Sequence, residues 1–111
     1  MKREQRLRKG TEFDEAYSQG TAIGGPLVVL RVRPNDLGYT RWGFAVGKKI
    51  APLATKRNQV RRRLREIARS LDWHESQDIV VTARKDALPA SSSELRAAIE
   101  RGLKKSMRLS A

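Results

Sequence analysis

The apolar positions of this chain change rhythm several times, and each rhythm predicts an element. Residues 1–10 carry Leu7 as their one large apolar side chain after Met1, and predict a basic, mostly extended arm. A short helix is expected from Thr11, which with Asp14 makes a capping pair. Phe13, Ala16 and Tyr17 share one face of it, and Gly20 is its stop. After the loop Gly24-Gly25-Pro26, alternation over 27–33 predicts a strand with Val28, Leu30 and Val32 on one face and Val29, Arg31 and Arg33 on the other. The turn cluster 34–38 leads to a second strand over 39–46, expected to pair with the first as a hairpin. Its faces are Thr40, Trp42, Phe44 and Val46 against Tyr39, Arg41, Gly43 and Ala45. Residues 47–50 are read as a short third strand.

The period then lengthens to that of a helix. Val60, Leu64, Ile67, Ala68 and Leu71 form a narrow stripe that predicts a helix over 56–71. The segment 78–84 holds the continuous apolar run Ile79-Val80-Val81 after Asp78, as a central strand would. Ser91 and Glu94 form a capping box before a last helix with the stripe Leu95, Ala98, Ile99, Leu103 and Met107. Gly102 within it marks close packing. The whole predicts one α+β domain over 1–111, in the order α-β-β-β-α-β-α, with the helices on one face of a mixed four-stranded sheet.

Composition narrows the chemistry. Lys plus Arg number 24 against 12 Asp plus Glu, a formal charge of +12. The absence of cysteine excludes disulfides, Cys-ligated zinc and a thiol nucleophile, and a single histidine, His74, excludes a His-rich metal site. No apolar run approaches the roughly 18 residues of a membrane span. No apolar segment follows the basic N-terminus, so a signal peptide is not expected and a cytoplasmic location is. The charge points to a polyanion, with nucleic acid first.

The basic segment 56–69 carries the strongest signal. Placed on a helix, Asn58, Arg61, Arg62, Arg65 and Arg69 gather opposite the apolar stripe, with Glu66 as the one acid in reach. Like charges at i, i+4 repel by a few tenths of a kcal/mol each, a cost that a merely solvated face does not need. Guanidinium forks suit phosphate oxygens. Phe13 and Tyr17 are either core residues or, if exposed, a stacking platform for unpaired bases. The Val29/Arg31 face is either solvated or turned towards RNA. Asp72, Glu75 and Asp78 read as loop and strand-start residues. No phosphate-binding Gly loop and no nucleophile–base set is present, so the residues argue for a binding protein. A structural ribosomal protein, a general nucleic-acid-binding protein and a stand-alone nuclease are the alternatives.

The segments Gly43-Phe44-Ala45-Val46-Gly47-Lys48-Lys49-Ile50 and Lys56-Arg57-Asn58-Gln59-Val60-Arg61-Arg62-Arg63-Leu64-Arg65-Glu66 closely resemble the protein subunit of bacterial ribonuclease P. Arg6-Leu7-Arg8-Lys9 with Phe13 and Tyr17, and Asp78-Ile79-Val80-Val81-Thr82-Ala83-Arg84, fit the same family. The resemblance implies a left-handed crossover around the basic helix, against the usual hand. It also implies a partner, a catalytic RNA that removes the 5′ leader of precursor tRNA and carries the Mg2+ ions. No catalytic residue, metal ligand, membrane or protein partner is expected of this chain. The residues expected on the RNA subunit are Lys48, Lys49, Arg57, Asn58, Arg61, Arg62, Arg65 and Arg69. Those expected on the leader are Phe13, Tyr17, Val29 and Arg31. Two positions depart from the family pattern. Gln59 stands where an arginine is usual, with Arg63 or Lys56 as replacements, and Gly47 stands where a serine is usual.

Overall fold

The computed structural model describes residues 3–7 and 10–110, apart from the side chains of Arg3, Thr11, Leu109 and Ser110. Helix α1 spans Gly10–Gln19, β1 Thr21–Ile23, β2 Val28–Pro34, β3 Arg41–Ala45, α2 Ala54–Ser70, β4 Gln77–Ala83 and α3 Ser92–Ser110. The expected α-β-β-β-α-β-α order is observed. The expected Thr11 cap lies outside the described residues, and α1 already begins one residue earlier.

The sheet order is β1-β2-β4-β3. This corrects the expected hairpin, because β4 lies between β2 and β3, antiparallel to the first and parallel to the second. The physical reason is the composition of β4. Ile79, Val80 and Val81 are all fully buried, so both faces and both edges of this strand need cover. The turn signal at 34–38 is real, but it carries the chain across the entry to β4. Asn35 N–H donates to Ser76 O at 2.9 Å, and Gly38 N–H to Ser76 Oγ at 3.0 Å.

The third strand is also elsewhere. Residues 48–50 form a turn, and β1, three residues long and too short to show a rhythm, pairs antiparallel with β2. The arm is not simply extended. Arg3–Gln5 makes a 3-10 turn, Arg6 bridges the outer edge of β3, and Leu7 N–H donates to Trp42 O at 2.9 Å.

The helices do not share a face. Val28, Leu30, Val32, Trp42, Val46, Ile79 and Val81 meet α2 and α3 in the main core. Helix α1 lies on the other face, where Ala16, Leu7 and Val80 are buried together with Phe13 and Ala45 packed on them. Both faces of β4 are therefore covered, which a one-sided layer cannot do.

The stripe of α2 is buried at Val60, Leu64, Ile67 and Ala68. The capping box of α3 forms in both directions, Ser91 N–H to Glu94 Oε1 at 3.0 Å and Glu94 N–H to Ser91 Oγ at 3.1 Å. Gly102 is where α3 touches β2; a Cβ there would lie 2.5 Å from Leu30 Cδ1. The core stripe ends on Ser106 rather than Met107, which is 41% exposed. Each i+4 step drifts by about 40°, so a third such step from Leu95 leaves the core line and Ser106 returns to it.

Candidate nucleic-acid interface

Two surfaces hold the residues singled out from the sequence. The first is the outer side of α2. Because its stripe is buried against β3 and α3, the opposite arc is presented to solvent. Asn58, Arg62 and Arg69 are exposed, and Arg61 and Arg65 are half-buried. Arg61 donates to Asn58 Oδ1, and Arg69 lies 3.6 Å from Glu66. Lys48 and Lys49 are exposed on the turn just before the helix. The first turn of α2 contains no acid, so Lys56 and Arg57 sit at its positive end, an arrangement that costs stability and attracts anions.

Two arginines have other duties. Arg57 Nη1 donates to Ala51 O at 2.9 Å and to Pro52 O at 2.8 Å, clasping the loop that enters α2. Arg63 Nη2 donates to Ala90 O at 2.7 Å, which ties α2 to the segment before α3. Arg63 is thus committed, and Lys56, one turn from Gln59, is exposed. Gly47 has room for a side chain, since the nearest atom to a Cβ there is 3.9 Å away. Nothing in the structure explains glycine at that position.

The second surface is the α1 side of the sheet. Strand register sets its residues in three rows: Val29, Thr82 and Ala45; Arg31, Val80 and Gly43; Arg33, Asp78 and Arg41. In the first two rows Tyr17 bridges β2 and β4. The Arg31 guanidinium lies 4.6 Å from the Tyr17 ring centroid, and Tyr17 Oη is 3.3 Å from Thr82 Oγ1. Tyr17 remains 40% exposed, so an aromatic edge and a cation face solvent together.

Phe13 behaves differently. It packs with Leu7, Ala16 and Val80, and a Cβ on Gly43 would meet its ring at 2.6 Å. It lies against β3, with Tyr17 and Arg31 one helical turn away. A small cavity of about 100 Å³, lined by Arg6, Phe13, Phe44 and Arg65 among others, joins this side to the arginine row of α2. The two surfaces are therefore neighbours around the β3 edge.

The third row was missed in the sequence. Asp78 is not a solvated strand-start residue: it is fully buried. Arg41 grips it through Nε to Oδ1 at 2.8 Å and Nη2 to Oδ2 at 2.7 Å, and Asn35 Nδ2 donates to Oδ1 at 2.9 Å. Arg33 approaches to 3.8 Å. The same arginines reach α1, Arg41 to Glu12 at 3.0 Å and Arg33 to Glu15 at 2.7 Å. Burial alone would raise the Asp78 carboxyl, but the hydrogen bonds from Arg41 and Asn35 hold it below the ordinary carboxylate value. This network fixes where α1 stands over the sheet. The signal available was the single acid opening an otherwise apolar strand.

Among the described residues no three His, Asp or Glu side chains come together as a metal site, and no helix is long and apolar enough to cross a membrane. His74 is exposed and paired with Asp72 at 2.6 Å.

Comparison with known proteins places this geometry. The Ribonuclease P family model matches residues 1–107. The ribonuclease P protein component of Dehalococcoides mccartyi strain CBDB1 is 34% identical over 110 residues, 99% of this chain and 91% of that protein. Its counterpart in Symbiobacterium thermophilum is 38% identical over 104 residues, 90% of this chain and 89% of that protein. Among solved structures, the RNase P protein of Thermotoga maritima aligns with a TM-score of 0.81 at 29% identity, covering 90% of this chain and 96% of that one. The RNase P protein of Staphylococcus aureus aligns with a TM-score of 0.80 at 27% identity, covering 92% and 94%. With the fold, the arginine-bearing crossover helix and nearly the whole length of the sequence in agreement, the chain belongs to the ribonuclease P protein family.

Proposed function

We propose that this chain is the RNA-binding protein subunit of a cytoplasmic ribonucleoprotein endonuclease that hydrolyses precursor tRNA to release its 5′ leader. It acts as one domain, with the catalytic centre in the RNA partner. Asn58, Arg61, Arg62, Arg65 and Arg69, with Lys48 and Lys49, take the phosphates of that RNA. Arg57 positions the loop before α2 and offers its remaining N–H groups to the same backbone. Tyr17, Arg31 and Val29 take the single-stranded leader, with Phe13 beside them on the same face of α1, one turn away against β3. Mg2+, held mainly by the RNA partner, would supply activation of water and charge stabilisation at the leaving oxygen. This chain's own residues bind and orient; Asp78, Glu12 and Glu15 are engaged by Arg33 and Arg41 and serve the scaffold.

The observation that carries the reading is the division of α2. One side is buried core, and the other is a row of guanidiniums in which, among the described residues, only Arg69 has an acid partner. Neutralising phosphates releases counterions and lowers the repulsion between two RNAs brought together. The α1 side of the sheet adds contacts that only precursor tRNA provides. The test compares precursor and mature tRNA affinities of the reconstituted complex across a series of leader lengths. Tighter binding of precursor, growing over the first leader nucleotides, is expected. Equal affinities at every leader length would remove the leader-binding role.

A further inference from the structure

The C-terminal half of α3 carries a charge that neither surface uses. No acidic residue follows Glu100, while Arg101, Lys104, Lys105 and Arg108 are all exposed. At 100° per residue the four fall within an arc of roughly 100°, over about 10 Å of helix. Among the described residues none of them makes an ion pair, whereas Arg96, one turn earlier, is paired with Glu100 at 3.0 Å. Among themselves the four are i, i+3 and i, i+4 neighbours and repel, and the one acid at that spacing, Glu100 four residues before Lys104, is paired with Arg96.

Beside them is a pocket of about 180 Å³ between α3 and the loop joining β1 to β2. Ile23, Leu27 and Ala98 line it with apolar surface, and Arg101 and Lys105 stand at its rim. Gly102 keeps α3 bare where Leu30 presses against it. Arg84 Nη1 donates to Gly25 O at 3.0 Å and braces the loop that forms the outer wall. Helix α3 packs over β1 and β2, on the opposite sheet face from α1, and α2 packs over β3. The pocket is therefore separate from both surfaces described above.

We propose that this is a second RNA site, which takes one unpaired nucleotide of the RNA subunit. The base lies in the apolar pocket, its phosphate on Arg101 and Lys105, and the flanking backbone along Lys104 and Arg108. Charge complementarity selects a polyanion, and an apolar recess at a cationic rim selects an unstacked base over a closed duplex. The site rests on the proposed RNA-binding function, and it makes the protein a clamp between two RNA segments.

The test measures affinity for ribonuclease P RNA against salt for three variants of the full chain, each checked for an unchanged melting temperature. R101A/K105A is expected to weaken binding and to flatten the log K against log salt plot by about 0.7, the single-strand value for one phosphate no longer neutralised. A98L, which fills the pocket and keeps every charge, is expected to weaken binding several-fold with the slope unchanged. Chemical probing should then show the same nucleotides released in both variants, and different ones released in R61A/R62A/R65A. If R101A/K105A binds like the wild type while R61A/R62A/R65A binds poorly, the second site is wrong and the main reading stands. If R61A/R62A/R65A also binds like the wild type, the main reading itself fails. Weakened binding in R101A/K105A with A98L unaffected overturns the nucleotide pocket. A loss of binding to phosphatidylglycerol vesicles without any released RNA nucleotide overturns it in favour of a membrane surface.

Discussion

Replacing Asp78 with alanine should cost this fold about 3 kcal/mol. The carboxylate is fully buried, while the Arg41 and Arg33 side chains it faces are 20% and 25% exposed. Removing one partner of a buried pair costs about 3–5 kcal/mol, because the other charge is left uncompensated. Partial exposure lets both arginines turn towards water, which places the loss at the lower end. Against the roughly 5–15 kcal/mol of a domain this size, that is a large fraction. At about 4–8 °C per kcal/mol, the midpoint should fall by roughly 12–24 °C. Urea unfolding at fixed salt, followed by the fluorescence of Trp42 and Trp73, should show a lower midpoint with an unchanged m-value.

The sign with pH is also set. The folded carboxyl titrates below its unfolded value of about 3.9, so its contribution is complete above that value and drains as pH falls through the lower folded one. Asp78→Asn should therefore flatten the acid limb of the stability curve. The double variant D78L/R41M removes both charges and should cost less than Asp78→Ala alone, since Arg33 keeps Glu15 at 2.7 Å. A loss under about 1 kcal/mol for Asp78→Ala, or a double variant worse than the sum of its parts, would refute the assignment of this network as the anchor of α1.

Three further outcomes follow from the same geometry. Gly102→Ala must displace Leu30, one of the most buried side chains, and should lose about 1–3 kcal/mol by urea unfolding. Ser91→Ala breaks one arm of the α3 capping box and should cost about 1 kcal/mol in the same assay. Tyr17→Ala should lower the affinity of the reconstituted complex for precursor tRNA by about 1–3 kcal/mol while leaving mature tRNA unchanged. Tyr17→Phe, which loses only the contact with Thr82 Oγ1, should fall well short of that.

Much of this was legible in the sequence because it rests on local rhythm. The α2 stripe, the central position of β4, the capping box at Ser91 and the two faces of β2 are all set by neighbours within a few residues. What was not legible depends on distant pairing. A turn between two alternating strands reads as a hairpin, and only the doubly buried β4 shows why another strand lies between them. Helix α1 reads as one more layer on the same face until Val80 is seen to need cover from the other side. Asp78 reads as no more than a strand-start residue because its partners, Arg41 and Asn35, lie 37 and 43 positions away. On the candidate interface the pattern identified the arginine arc and left Arg63 outside it, but it had no means of showing that Arg63 is tied to Ala90 O and so is not the replacement for the arginine missing at Gln59.

The most direct test of the account is a reconstitution of purified protein, ribonuclease P RNA and precursor tRNA at low magnesium. The account predicts protein-dependent release of the 5′ leader that is lost when Arg61, Arg62 and Arg65 become alanine, with the variant still folded. Leader release that is unaffected by the triple substitution, or no stimulation by folded protein with matched RNA, would contradict it.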